Sequence, residues 1–183
     1  SDNAADRGAS ARSLAAVARR VADYHEAAMA DAQIGLEVCG DASGDFDIAL
    51  LQRALSNLIA NATRHARHGT LVRVEIDAAR AGEVALRVLN LGDTIGQEHL
   101  PRLFDRFYRA DPSRTHADRN HGLGLSIVAA IARMHGGRPL ASSIDGVTAI
   151  GLTLRAELGN TPVPATAFPS EHPQASKALN VRA

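Results

Sequence analysis

Ser56-Asn57-Leu58-Ile59-Ala60-Asn61-Ala62-Thr63-Arg64-His65 is the stretch on which the fold of this chain turns. It reads as the second half of a helix running from about Ile48 to Arg67, with Asp45 or Asp47 placed to cap its start. Leu51, Ala54, Leu55, Leu58 and Ala62 fall on one face, while Asn57, Asn61 and Arg64 fall on another at i, i+4 and i+7. Carboxamides are costly to bury without partners. Two of them a turn apart beside an apolar stripe therefore have two readings: a solvated helix flank, or the wall of a polar cleft. In the second reading one Asn oxygen, with phosphate oxygens and water, suits Mg²⁺, and the planar fork of Arg64 suits phosphate oxygens.

A second stretch offers a partner for such a wall. His121-Gly122-Leu123-Gly124-Leu125-Ser126 reads as a loop running into a helix from Leu123 to His135, closed by Gly136-Gly137. Paired glycines let the backbone approach an anion where a Cβ would intrude. A helix opening at the same point aims free N–H groups and a positive dipole end at that anion. A tight turn before a helix reads the same way, so Gly-x-Gly alone leaves both readings open.

Outward from these two stretches, Ser10 is placed to cap a helix reaching about Asp31, with Leu14, Val17, Val21 and Ala22 at helical spacing. Ile34, Leu36 and Val38 alternate as a half-buried strand, and Gly40 to Gly44 reads as a turn. Leu71 to Ile76 and Val84 to Leu89 read as a hairpin joined by Asp77 to Glu83. Residues 90–121 have little periodicity beyond short helical pieces near Glu98 to Phe107, and so long a connection is usually functional. Two strands close the pattern, about Pro139 to Ile144 and Thr148 to Glu157. Adjacent strands in a mixed order point to an α+β layered domain rather than a doubly wound sheet. The domain is expected over residues 10–157, with a flexible segment at 1–9 and a disordered tail at 158–183, where four prolines and no period occur.

Composition narrows the partners. Twenty basic and twenty acidic residues leave a formal net charge of zero, which argues against binding nucleic acid or a membrane surface through bulk charge. Apolar residues make up 45% of the chain and aromatics 3%, so the core must be aliphatic. A single cysteine, Cys39, excludes an internal disulfide or a multi-cysteine zinc site and reads as a small core residue in a strand. No run of apolar residues is long enough to span a bilayer, and no signal sequence opens the chain. The expectation is a soluble domain of a reducing compartment, cut from a larger protein.

Taken together, the stretches resemble the ATP-binding catalytic domain of sensor histidine kinases. That family belongs to the GHKL ATPase superfamily, with type II topoisomerases, a heat-shock chaperone and a mismatch-repair ATPase. Residues 56–65 are similar to its asparagine box, and Asn90-Leu91-Gly92-Asp93-Thr94-Ile95 stands where the first glycine box belongs. Leu103-Phe104-Asp105-Arg106-Phe107-Tyr108-Arg109 matches the phenylalanine box, and Gly122-Leu123-Gly124-Leu125 matches the core of the second glycine box. The order and spacing also agree, and the closest subgroup looks like the heavy-metal-responsive sensor kinases of bacteria. The resemblance implies a two-layer sandwich of the Bergerat type, in which about three helices cover one face of a mixed sheet of about five strands and ATP lies between helix and lid.

It also implies roles for residues. Asn61 holds Mg²⁺ and forms the catalytic pair with Arg64, while Asn57 and Arg64 meet the phosphates. His65 replaces a common Tyr near adenine or ribose. Asn90 takes the adenine-reading position, beside Gly92 and Thr94, and Ile95 packs on the base. Residues from about Arg109 to Asn120 form the lid, anchored by Phe104 and Phe107, with Tyr108 and Arg109 facing nucleotide or partner. His121, Gly122, Leu123, Gly124 and Leu125 border the nucleotide at the lid hinge, and Thr148 is a candidate adenine contact. The implied partners are ATP, a His-bearing dimerisation domain expected to precede residue 1, and a response regulator. The implied location is the cytoplasmic part of an inner-membrane sensor.

Several positions depart from the family pattern. Asn90 replaces an Asp that accepts a hydrogen bond from the adenine amino group; an amide oxygen still accepts, without charge assistance. Thr94 and Asn120 replace glycines, Ala60 stands where relatives often carry Glu, and the last glycine box is weak, with Ala149 at a Gly position unless Gly146 or Gly151 substitutes. None of the eight histidines lies in an acceptor helix pair, His25 included. These departures leave an alternative open: a degenerate regulatory module that binds nucleotide weakly or not at all and acts by protein docking.

Overall fold

The computed structural model describes residues 12–110 and 123–155. The segments expected at 1–9 and 158–183, and all of the lid expected from about Arg109 to Asn120 except Arg109 and Ala110, lie outside the described residues. The chain enters through a two-residue strand, β1 (Arg12–Ser13), followed by α1 (Leu14–Tyr24) and the short α2 (Glu26–Asp31). The helix start falls at Ser13 rather than Ser10: Ser13 Oγ accepts from Ala16 N–H at 3.0 Å and donates to Asp41 Oδ2 at 2.7 Å. The single helix expected to Asp31 is broken at His25. That residue lies four beyond buried Val21 and seven beyond buried Ala18, so a continuous helix would turn the imidazole into the core. Instead the chain kinks, His25 Nε2 reaches Ser56 Oγ at 2.8 Å, and Met29 enters the core.

β2 (Gly35–Cys39) is followed by β3 (Ser43–Gly44), which pairs antiparallel with β1, so the expected turn at 40–44 contains a small ladder. Asp41 fastens it, accepting from Ala15 N–H and Ala42 N–H at 2.9 and 2.8 Å. α3 (Ile48–His65) is capped by Asp47, whose Oδ1 accepts from Leu50 N–H at 3.0 Å. It stops two residues short of Arg67, because Arg67 N–H is drawn to Leu91 O at 2.7 Å. The hairpin strands are longer than expected: β4 (Leu71–Arg80) and β5 (Glu83–Leu91) are joined through Ala81-Gly82, with an irregularity between Asp77 and Arg80 that absorbs the extra length. A 3₁₀ turn at Leu100–Arg102 precedes α4 (Gly124–Met134), β6 (Pro139–Ile144) and β7 (Val147–Arg155).

The main sheet has the order β2-β4-β5-β7-β6; β2 and β4 are parallel and the other pairs antiparallel. Val74, Val88 and Ile150 stand in register on one face, as do Ile76, Leu86 and Leu152. That face is covered by helices α1, α3 and α4. Leu51, Leu55, Leu58 and Ile59 of α3 are fully buried against it, each worth about 1.5–3 kcal/mol. The opposite face carries Glu37, Arg73, Glu75 and Arg87, with an ion pair between Arg73 and Glu37. Cys39 is in a strand as expected but not in the core. Leu36 and Val38 take the inward positions of β2, so Cys39 falls beside Glu37 on the outer face. Burial first, and then the Glu37 carboxylate, push its thiol pKa up. The architecture is the α+β two-layer sandwich expected, with five strands in the main sheet and α2 added to the three helices.

Candidate functional site

The site lies at the end of the sheet where β5 finishes. α3 contributes Asn57 and Asn61 from its second half, both half-buried, on the flank facing α4. Asn57 Nδ2 donates to Arg53 O at 2.9 Å, which turns Oδ1 outward. A Cβ added at Gly124 would sit 3.0 Å from that oxygen, so the N-terminus of α4 abuts Asn57. Leu123 at the N-cap offers no side-chain acceptor, and no acidic residue occupies the first turn of α4. Among the described residues no side chain takes the N–H groups there, at the positive end of the helix dipole. The Asn61 carboxamide has no hydrogen bond among the described residues. Arg64 and His65 are exposed on the last turn of α3.

The end of α3 is knitted to the end of β5. A Cβ at Gly92 would lie 2.4 Å from His65 O, and Gly92 N–H donates to Gly146 O at 2.9 Å. One residue pair inward, Asn90 stands opposite Thr148, and Thr148 opposite Ser143. All three are buried on the helix-covered face. Ser143 Oγ accepts from Ile95 N–H at 2.8 Å and lies 2.8 Å from Thr148 Oγ1, while Gln97 Nε2 donates to Ser143 O at 3.2 Å. Ser143 therefore holds the loop after β5 against the sheet. Nothing in the local sequence marks it beyond its inward position two residues before the Asp145-Gly146 turn. That turn has positive φ at both residues (50° and 78°), as a two-residue hairpin needs. Thr94 Oγ1 accepts from Gly146 N–H at 2.8 Å, a bond that a glycine at 94 could not make.

The structure thus brings Asn57 to Gly124, His65 to Gly92, Asn90 to Thr148, and Thr94 and Ile95 to the β6–β7 hairpin. Leu125 is half-buried against the core and Leu123 is exposed at the start of α4. Tyr108 is engaged within its own segment, with Oη on His99 Nδ1 and the Arg102 guanidinium 4.3 Å from its ring centroid. Arg109 is exposed. Phe104 packs on the core, whereas Phe107 is 75% exposed with a left-handed φ of 62°, so the two rings do not share one role. His121 and Gly122 lie outside the described residues. Among the described residues no three His, Cys, Asp or Glu side chains cluster to hold a metal ion. A cation at this site would depend on the Asn61 oxygen and on ligands that arrive with a phosphate, as Mg²⁺ does.

Comparison with known proteins agrees with this fold. A family described as histidine kinase-, DNA gyrase B-, and HSP90-like ATPase matches residues 46–158. The chain is 43% identical to the sensor protein IrlS of Burkholderia pseudomallei (strain K96243), over 67% of this chain and 26% of IrlS. It is 40% identical to the sensor histidine kinase CusS of Escherichia coli (strain K12), over 75% of this chain and 28% of CusS. The chain thus spans little more than a quarter of either relative. Among solved structures, the mycobacterial sensor histidine kinase MprB superposes with a TM-score of 0.70 at 25% identity, covering 81% of this chain and 99% of that one. The chain belongs to the histidine kinase-, DNA gyrase B- and HSP90-like ATPase family, as a catalytic domain of the sensor-kinase type.

Proposed function

We propose that this domain binds Mg-ATP between α3 and the N-terminus of α4 and delivers the γ-phosphate to a histidine on a dimerisation domain outside this chain. A response regulator would then receive the phosphoryl group. The observation that carries the reading is the contact of Asn57 with Gly124, which makes the carboxamide wall of α3 and the uncapped start of α4 two sides of one site. Phosphate oxygens would take the first-turn N–H groups of α4, at Gly124 and Leu125, together with Asn57 and the Arg64 guanidinium. Asn61 fits a hard cation, since its amide oxygen is an oxygen ligand with no competing hydrogen bond among the described residues. Bound there, Mg²⁺ would neutralise charge on the β- and γ-phosphates. The base would lie over Asn90 and Thr148, with Gly92, Thr94 and Ile95 shaping its rim and His65 near the sugar. Tyr108 and Arg109 would face the lid, whose hinge includes His121, Gly122 and Leu123.

Transfer forms a P–N bond to the acceptor imidazole as the γ-phosphorus–oxygen bond to ADP breaks. It rests on positioning and charge stabilisation more than on a strong base, so Ala60 does not preclude it. No helix among the described residues is long and apolar enough to cross a membrane. We place the domain on the cytoplasmic side of a membrane-bound sensor. Titration calorimetry of this chain with a β,γ-imido analogue of ATP, with and without Mg²⁺, tests the reading. The expected result is Mg²⁺-dependent binding that Asn61→Ala weakens at least tenfold, on the order of one charge-assisted contact. Absence of binding at millimolar analogue, or an unchanged Asn61→Ala, would sink it.

A further inference from the structure

The polar row beneath the base position is made of three side chains that can donate or accept hydrogen bonds. Asn90, Thr148 and Ser143 stand opposite one another on β5, β7 and β6 and are only 4%, 4% and 1% exposed. Ser143 Oγ accepts from Ile95 N–H, so its own hydrogen must go elsewhere. Thr148 Oγ1 lies 2.8 Å away, and either hydroxyl can donate in that contact. Where Ser143 donates, the Thr148 hydroxyl keeps its own hydrogen for a further acceptor.

The Asn90 carboxamide has no hydrogen bond among the described residues. Yet no fully enclosed side-chain nitrogen or oxygen there lacks a partner. The little exposure that Asn90 retains therefore falls on its amide end, which is open to an incoming molecule. A buried carboxamide without a partner is costly, and a ligand edge with a matching donor and acceptor would satisfy it.

We propose that this row accepts the six-membered edge of either purine, so that the site takes guanine as well as adenine nucleoside triphosphates. The proposal rests on the nucleotide-site reading above and names the base selectivity of that site. Adenine presents an amino donor at C6 and an acceptor at N1; Asn90 Oδ1 accepts from the first and Nδ2 donates to the second. Guanine presents the reverse, an acceptor at O6 and a donor at N1. A half-turn of the Asn90 amide about χ2 exchanges its two ends and meets that pattern equally. Where its hydrogen is free, the Thr148 hydroxyl can add to the second lone pair of guanine O6, whereas the one lone pair of adenine N1 is already taken by Asn90 Nδ2. A carboxylate at position 90 would accept from the adenine amino group but would set a negative oxygen against guanine O6.

Calorimetric titration of this chain with the β,γ-imido analogues of ATP and GTP, in Mg²⁺, tests the proposal. Wild type should bind the two within about tenfold of each other, because either base satisfies both ends of the Asn90 amide. Asn90→Asp, checked for an unchanged melting transition, should hold or tighten the adenine analogue and weaken the guanine analogue about tenfold or more. Binding of the adenine analogue without the guanine analogue at hundredfold excess would overturn the proposal and leave the nucleotide site standing. Binding of neither overturns both. An Asn90→Asp ratio equal to that of wild type removes Asn90 as the selecting residue and overturns the proposal.

Discussion

At Gly124 and Gly92 the same substitution separates function from stability. A Cβ at Gly124 would press on the Asn57 side chain at 3.0 Å, and a side chain can yield. Alanine also favours the first turn of α4 by up to about 1 kcal/mol over glycine. Gly124→Ala is therefore expected to leave the melting temperature unchanged or raised, while displaced Asn57 lowers nucleotide affinity by roughly tenfold, the value of one hydrogen bond. Melting curves and calorimetry on the same sample check both halves, and an unaltered affinity would count against Asn57 as a ligand. At Gly92 the added carbon meets the His65 carbonyl oxygen at 2.4 Å, and backbone cannot yield without moving the end of α3 or β5. Gly92→Ala should cost about 1–3 kcal/mol of stability, read from denaturant unfolding. Loss of nucleotide affinity without loss of stability there would contradict the close packing of these two elements.

At the scale of elements, α3 was legible because its five aliphatic positions and its two asparagines repeat with one helical period. The same period places Asn57 and Asn61 on one flank, but that α4 packs on that flank is set by tertiary structure. The break at His25 was not legible, since no proline or glycine announces it; it follows from the phase of α1 meeting a polar residue, and from Ser56, thirty-one positions away. Asp41 and Ser143 were missed for the same reason, because each bonds across more than twenty-five residues, and the register that sets those bonds is made by tertiary pairing. The His25 contact carries its own consequence. Burial lowers the His25 pKa below the ordinary histidine value, so the unfolded chain binds the proton more readily than the folded one. This group's contribution is therefore fully present above the ordinary value near 6.5 and is lost as pH falls through it toward the lowered folded value. Melting temperatures recorded between about pH 5 and 8 should fall on the acid side, and His25→Gln should flatten that dependence. An identical slope in the variant would mean that other groups set it.

For the molecule as a whole, the sheet has one face buried under three helices and the other carrying Glu37, Arg73, Glu75 and Arg87, so its rigidity comes from one aliphatic layer. The site sits at the edge of that layer, where β5 ends, α3 ends and α4 begins. Contacts between elements hold two of these ends, with Arg67 bonded to Leu91 and Gly92 to Gly146, while the first turn of α4 has no side-chain cap among the described residues. Such junctions are the parts of a fold that open first, and a ligand that bridges them stabilises the folded state by mass action. A nucleotide bound across α3, β5 and α4 is therefore expected to act on global unfolding and not on one loop alone. At a free concentration one hundred times its dissociation constant it contributes about 2.7 kcal/mol. For a chain of 183 residues that corresponds to a rise of roughly 5–10 °C in melting temperature. The rise should require Mg²⁺ and should shrink in Asn61→Ala in proportion to its loss of affinity. A nucleotide that binds with the expected affinity yet leaves the melting temperature unmoved would have to bind the unfolded chain equally well, which no site assembled from three separate elements can do.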